Sequence, residues 1–110
     1  MKLPNAERAV ADIEKLRDYS LNLEHDKGKH KARVFRSALG FTQADAERLR
    51  QMVLAAARTE EATLGNLLPY GQMYVLDFDT QGLSGMITIR TAWIIATGTD
   101  LPRLVSCYVR

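Results

Sequence analysis

The stretch from Gln72 to Thr97, Q-M-Y-V-L-D-F-D-T-Q-G-L-S-G-M-I-T-I-R-T-A-W-I-I-A-T, decides the fold. Apolar residues recur at every second position, the period of a strand with one buried face, and Gly82 and Gly85 punctuate two such runs. Gln72 to Phe78 and Met86 to Thr97 therefore read as strands. Arg103 to Val109 reads as another, and a weaker strand lies near Glu61 to Leu64. Short loops join them, so the pairing is antiparallel. The alternation puts Tyr74, Leu76 and Phe78 on one face, with Ile87, Ile89, Trp93 and Ile95 in the next strand and Val105, Cys107 and Val109 in the last. These are the expected core faces. Leu104 falls on the opposite face, together with Asp77, Arg90, Ser106 and Tyr108.

Upstream of Arg58 the apolar period is three to four. Val10, Ile13, Leu16 and Tyr19 form one stripe of a first helix between Ala6 and about Asn22. Two residues can cap its start, Asn5 and Asp12, and capping at Asp12 leaves residues 5–11 extended. A loop from Asn22 to Gly28 leads to a second helix over about Lys29 to Leu39, closed by Gly40, with Ala32, Phe35, Ala38 and Leu39 inward. A third helix follows, capped by Thr42 with Asp45 in the reciprocal position, burying Ala46, Leu49, Met52, Val53 and Ala56. Gly65-Asn66 reads as a turn, and Leu67-Leu68 is unusually apolar for a loop, a candidate partner-binding patch. Helices first and strands second define an α+β domain, with amino-terminal helices packed on one face of an antiparallel sheet of about four strands.

The 110 residues suffice for a single domain over 1–110, helical over 1–58 and sheet over 59–110. Hydrophobic content of 46% and charged content of 25% exclude a disordered tail or a fibrous repeat. No segment has the length of a signal-peptide core or a membrane span, so the expected compartment is the cytoplasm. Cys107 is the only cysteine, which rules out an internal disulfide, and its valine neighbours suggest a buried thiol. Net charge is only +2, yet residues 1–58 carry twelve Lys/Arg against eight Asp/Glu, whereas residues 59–110 carry three against five. The helical half is the expected meeting surface for a polyanion or an acidic partner.

That charge concentrates between His25 and Arg36, H-D-K-G-K-H-K-A-R-V-F-R, where both histidines lie. Five positions apart, His25 and His30 point to different sides of a helix, a poor start for a metal site. Glycine-rich phosphate loops, dinucleotide fingerprints and nucleophile elbows do not occur, so no cofactor is expected. The remaining inventory suits metal-free attack on RNA. The 2′-hydroxyl must lose a proton, the phosphorus gathers negative charge and the leaving 5′-oxygen needs a proton, all within reach of imidazole, cation and hydroxyl groups.

Three phrases extend this reading: K-L-R-D-Y-S-L-N-L-E-H-D-K-G-K-H-K-A-R-V-F, R-T-A-W-I-I and P-R-L-V-S-C-Y-V. Through them nearly the whole chain resembles a family of small uncharacterised bacterial domains found in toxin–antitoxin pairs and at the tips of polymorphic toxins. That family is similar to the barnase/EndoU/colicin/RelE ribonuclease fold. The resemblance implies a curved sheet after the helices, with the active site on the sheet and an adjoining helix or loop. Its pattern of His, Gly, Lys-Ala and Phe falls on His25, Gly28, Lys31-Ala32 and Phe35; its arginine falls on Arg90 and its closing hydroxyls on Ser106 and Tyr108. The expected catalytic set is His25, Lys31, Arg90 and Ser106, with Lys29, His30, Arg33 and Tyr108 contacting substrate. Expected partners are RNA and a small acidic antitoxin or immunity protein, and a homodimer is an open option.

Each residue also has a plainer role. His25 can be a surface loop histidine and His30 a solvated one. Arg90 can pair with Asp77 across the sheet, and Trp93 has the pattern of a core anchor rather than a base-stacking ring. The alternative function is a non-enzymatic antitoxin or RNA-binding module whose basic 27–36 segment touches only phosphates.

Overall fold

The computed structural model describes residues Met1–Arg110. Its elements are α1 (Ile13–Lys15, widening into a π-turn over Leu16–Ser20), α2 (Lys29–Leu39), α3 (Ala46–Thr59), β1 (Ala62–Leu68), β2 (Gly71–Gly82), β3 (Gly85–Ala96) and β4 (Pro102–Val109). The strands pair antiparallel in chain order, so the sheet is an open meander with β1 and β4 at its edges. The three helices pack on this sheet, making an α+β fold.

Local chemistry accounts for the boundaries. Gly40 ends α2 at φ 73°, a left-handed conformation that costs glycine little. Thr42 and Asp45 form a reciprocal capping box before a 3₁₀ turn, Gln43–Asp45, that runs directly into α3. Helix α3 buries Ala46, Leu49, Val53, Ala56 and Ala57.

Trp93, fully buried, anchors the core, and its indole N–H donates to Thr91 Oγ1 at 2.8 Å. Thr91 in turn donates to the Leu76 carbonyl at 2.7 Å, so the polar atoms of this buried pair are satisfied. Phe35, Leu16, Leu49, Ile89 and Leu104 complete the same cluster.

Three sequence expectations change. The first helix is interrupted: Ala6–Arg8 form one 3₁₀ turn after Asn5, Val10 is bridged to Arg103 beside β4, and the α-helix begins after Asp12. Residues 5–11 are thus not all extended, and the chain breaks between the two turns because Val10 accepts from Leu104 N and donates to Pro102 O, bonds a helical residue would spend within its own helix. Second, Leu104 is buried and Val105 is exposed, the reverse of strict alternation. The register shifts between Ala92 and Trp93, so β4 carries one extra residue, a bulge that returns Cys107 to the core. Third, Gly65-Asn66 is no turn between strands. It sits inside β1 at a second register shift, and Leu67 is an exposed edge-strand residue.

Candidate active site

A groove of about 570 Å³ opens along the β4 edge, where α1, the following loop and the start of α2 meet the sheet. Its lining includes Glu14, Lys15, Asp18 and Tyr19 from α1 and its π-turn, His25 from the loop, Lys31 from α2, and Val105 and Ser106 from β4. Two irregularities shape it. The π-turn, in which Ser20 Oγ donates to the Lys15 carbonyl at 3.1 Å, turns Tyr19 toward the groove, and the β4 bulge brings out Val105 next to Ser106.

The loop from Asn22 to Gly28 is fixed by His25 itself. Its Nδ1 accepts from the backbone N–H of Lys27 at 3.1 Å and of Gly28 at 3.0 Å, while its carbonyl accepts from Lys29 N at 2.9 Å. A ring nitrogen that accepts two N–H bonds carries no proton, so the neutral imidazole holds its hydrogen on Nε2. The ring packs edge-on against Tyr19, with centroids 4.7 Å apart. Gly28 is buried against the π-turn so closely that a Cβ there would lie 2.2 Å from the Tyr19 carbonyl oxygen. Only glycine fits.

Lys31 crosses the edge of the sheet. Its Nζ stands 5.1 Å from the Tyr19 ring centroid and 5.3 Å from that of Tyr108, so two aromatic faces hold the ammonium at the rim. It has no carboxylate partner. The first turn of α2 contains no acidic residue, so its backbone N–H groups and its cations present positive potential on the same side. Asp18 is engaged by Arg17 in a two-point ion pair at 2.8 and 2.9 Å, and the Arg17 hydrogen bond holds its carboxyl below the usual range. Glu14 makes no ion pair or hydrogen bond.

Of the eight expected site residues, His25, Lys31 and Ser106 meet in this groove. Tyr108 flanks it through Lys31. Lys29 sits half-buried at the head of α2, while His30 and Arg33 are exposed outside the lining. Arg90 is not brought in. It faces Tyr108 in register on the outer sheet face and is bound by Asp77 at 2.9 and 3.1 Å, a bond that raises the guanidinium pKa. Arg110 also reaches Asp77 at 3.0 Å, so a cross-strand ion network holds Arg90 one strand away from the groove. Cys107, expected to be inert, lies beneath, and burial pushes its thiol up to about 12.

Glu14, Lys15 and Asp18 escaped the sequence reading, and Tyr19 was assigned to a buried stripe. The signal was present in K-L-R-D-Y-S. A three-residue step through a π-turn no longer keeps one face, so periodicity placed Tyr19 in the core.

Fold and groove together define a small α+β domain with a cation- and imidazole-lined cleft at an edge strand. The chain belongs to the family described as Domain of unknown function (DUF6883), whose model matches residues 2–110. No curated protein and no solved structure gave a significant match. No helix of the structure is long and apolar enough to cross a membrane.

Proposed function

We propose that this groove is the active site of a toxin-like endoribonuclease, similar to the barnase/EndoU/colicin/RelE group, that cleaves RNA by metal-independent transesterification. Its setting is a bacterial toxin–antitoxin module, with a small acidic antitoxin or immunity protein as the second partner. One observation carries the reading: imidazole, ammonium and hydroxyl groups from a loop, a helix and an edge strand line one groove. A surface that merely solvates lysines has no need to hold Lys31 between two tyrosine rings or to lock the His25 tautomer.

The geometry supports the following roles. Lys31 supplies positive charge where the phosphorane develops its negative charge. His25 presents an Nε2–H donor to the same oxygens, and the Ser106 hydroxyl orients the phosphate against β4. Lys29, His30 and Arg33 line the approach and contact the flanking phosphates. Tyr108 is a base-facing ring beside the cleft.

The test is cleavage of a single-stranded RNA in EDTA by the wild-type chain and by Lys31→Met and Ser106→Ala. Cleavage leaving 2′,3′-cyclic phosphate ends, with Lys31→Met reduced at least about 100-fold, is the expected result. Intact RNA, bound with a steep salt dependence shared equally among Lys29, Lys31 and Arg33, would identify a binding module instead.

A further inference from the structure

We infer that Glu14 is the general base of this groove and that His25 is a fixed hydrogen-bond donor that neither takes nor gives the reacting proton. The inference rests on the ribonuclease reading above and assigns its proton transfers.

The argument begins at His25. Both N–H bonds into Nδ1 come from backbone amides, of Lys27 and Gly28, and amides cannot reverse their polarity. Protonating Nδ1 would set an N–H against two N–H groups and break the turn that leads into α2. With Nδ1 occupied in this way, Nε2 keeps its hydrogen in the neutral ring and has no lone pair to receive a proton. Protonation of the ring would forfeit the same two bonds. Histidine therefore stabilises charge here, and the base must be another group.

The groove offers one unengaged carboxylate. Asp18 is held at two points by Arg17, whereas Glu14, one turn earlier on the same wall, has both oxygens available. Glu14 shares the groove with Lys15 and Asp18 of its own element, His25 of the loop, Lys31 of α2 and Ser106 of β4, and Arg17 follows three residues on. Arg17 senses it, since its guanidinium pKa is raised first by the Asp18 hydrogen bond and, in smaller part, by the Glu14 charge.

The step balances as follows. A Glu14 carboxylate oxygen takes the proton of the 2′-hydroxyl, the 2′-oxygen bonds to phosphorus, and the phosphorus–O5′ bond breaks. The departing O5′ takes a proton from the Lys31 ammonium. Products are a 2′,3′-cyclic phosphate and a 5′-hydroxyl, and water resets both side chains by carrying the proton from Glu14 to Lys31.

The experiment compares pH–rate profiles of wild type, Glu14→Gln and His25→Asn on one RNA oligonucleotide. Wild type should lose rate toward acid pH along a limb set by one titrating group. Glu14→Gln should lose the limb and about 10²- to 10⁴-fold in kcat, with KM within about threefold of wild type. His25→Asn should be slower yet keep the limb, and nitrogen NMR of the wild-type imidazole should report the Nε2–H form. A cleaving wild type whose limb survives in Glu14→Gln, or disappears in His25→Asn, overturns the assignment of Glu14 while leaving the ribonuclease standing. A wild type that cleaves no RNA overturns both.

Discussion

His25 caps the loop through Nδ1, whereas Nε2 carries the donor role proposed above, and substitutions separate the two. Asn can place its side-chain oxygen where Nδ1 accepts from residues two and three positions on, as in an Asx turn, but has nothing in place of Nε2. His25→Asn is thus expected to melt within a few degrees of wild type and to cleave more slowly, whereas His25→Ala leaves two amides unpaired and costs about 1 kcal/mol in thermal or urea unfolding. Equal stability of the two variants would show that the cap carries no weight. Gly28→Ala is a harsher change, because its methyl meets the Tyr19 backbone rather than a side chain that can swing away. A loss of about 2–3 kcal/mol, with the groove disturbed, is expected from the same unfolding measurements. Cys107 has a pH signature. Its folded pKa is raised, so the stability linked to the neutral thiol is complete below the unfolded value near 9 and is lost as pH rises toward about 12. Cys107→Ala should flatten that alkaline decline, and wild-type Cys107 should resist alkylation until the chain unfolds.

The elements were legible where one period ran uninterrupted. Helix α2 lies over Lys29–Leu39 as read from Ala32, Phe35 and Gly40, and the alternation from Tyr74 to Trp93 gives β2 and β3 the expected core faces. Legibility failed at insertions into that periodicity. A bulge adds a single residue to one strand, and no local composition in R-L-V-S-C-Y marks which residue is surplus, so Leu104 and Val105 were exchanged. The π-turn of α1 did the same to Tyr19. Both irregularities line the groove, which is why the site was only partly readable: His25, Lys31 and Ser106 stand out by chemistry, whereas Glu14 and Tyr19 enter only through geometry. The bulge makes a direct prediction. Val105→Asp should shift the melting temperature little, and Leu104→Ala should cost about 2–4 kcal/mol, values that a regular β4 would interchange.

At the scale of the whole molecule, the helices cover one face of the sheet and meet its β4 edge, leaving the outer face open, while the amino terminus pairs with the start of β1 through the Lys2–Glu61 bridge. On that outer face Asp77 ties Arg90 and Arg110 together across β2, β3 and the end of β4. The Arg90 hydrogen bond, ahead of the Arg110 charge, lowers the Asp77 pKa, so its contribution to stability is present above the ordinary carboxylate range and fades as pH falls through the lowered value. Acid unfolding of Asp77→Asn should show a weaker pH dependence than wild type. Arg90 thus braces the sheet that carries Tyr108 and Ser106, while His25, Lys31 and Ser106 line the groove at the edge. The most direct measurement pairs an RNA oligonucleotide with a copy bearing a single 2′-deoxy substitution at the scissile position, both incubated with the wild-type chain in EDTA. Transesterification in the groove predicts that the first is cut, leaving a cyclic phosphate, and that the second stays intact at that position; equal cutting of both, or of neither, would contradict it.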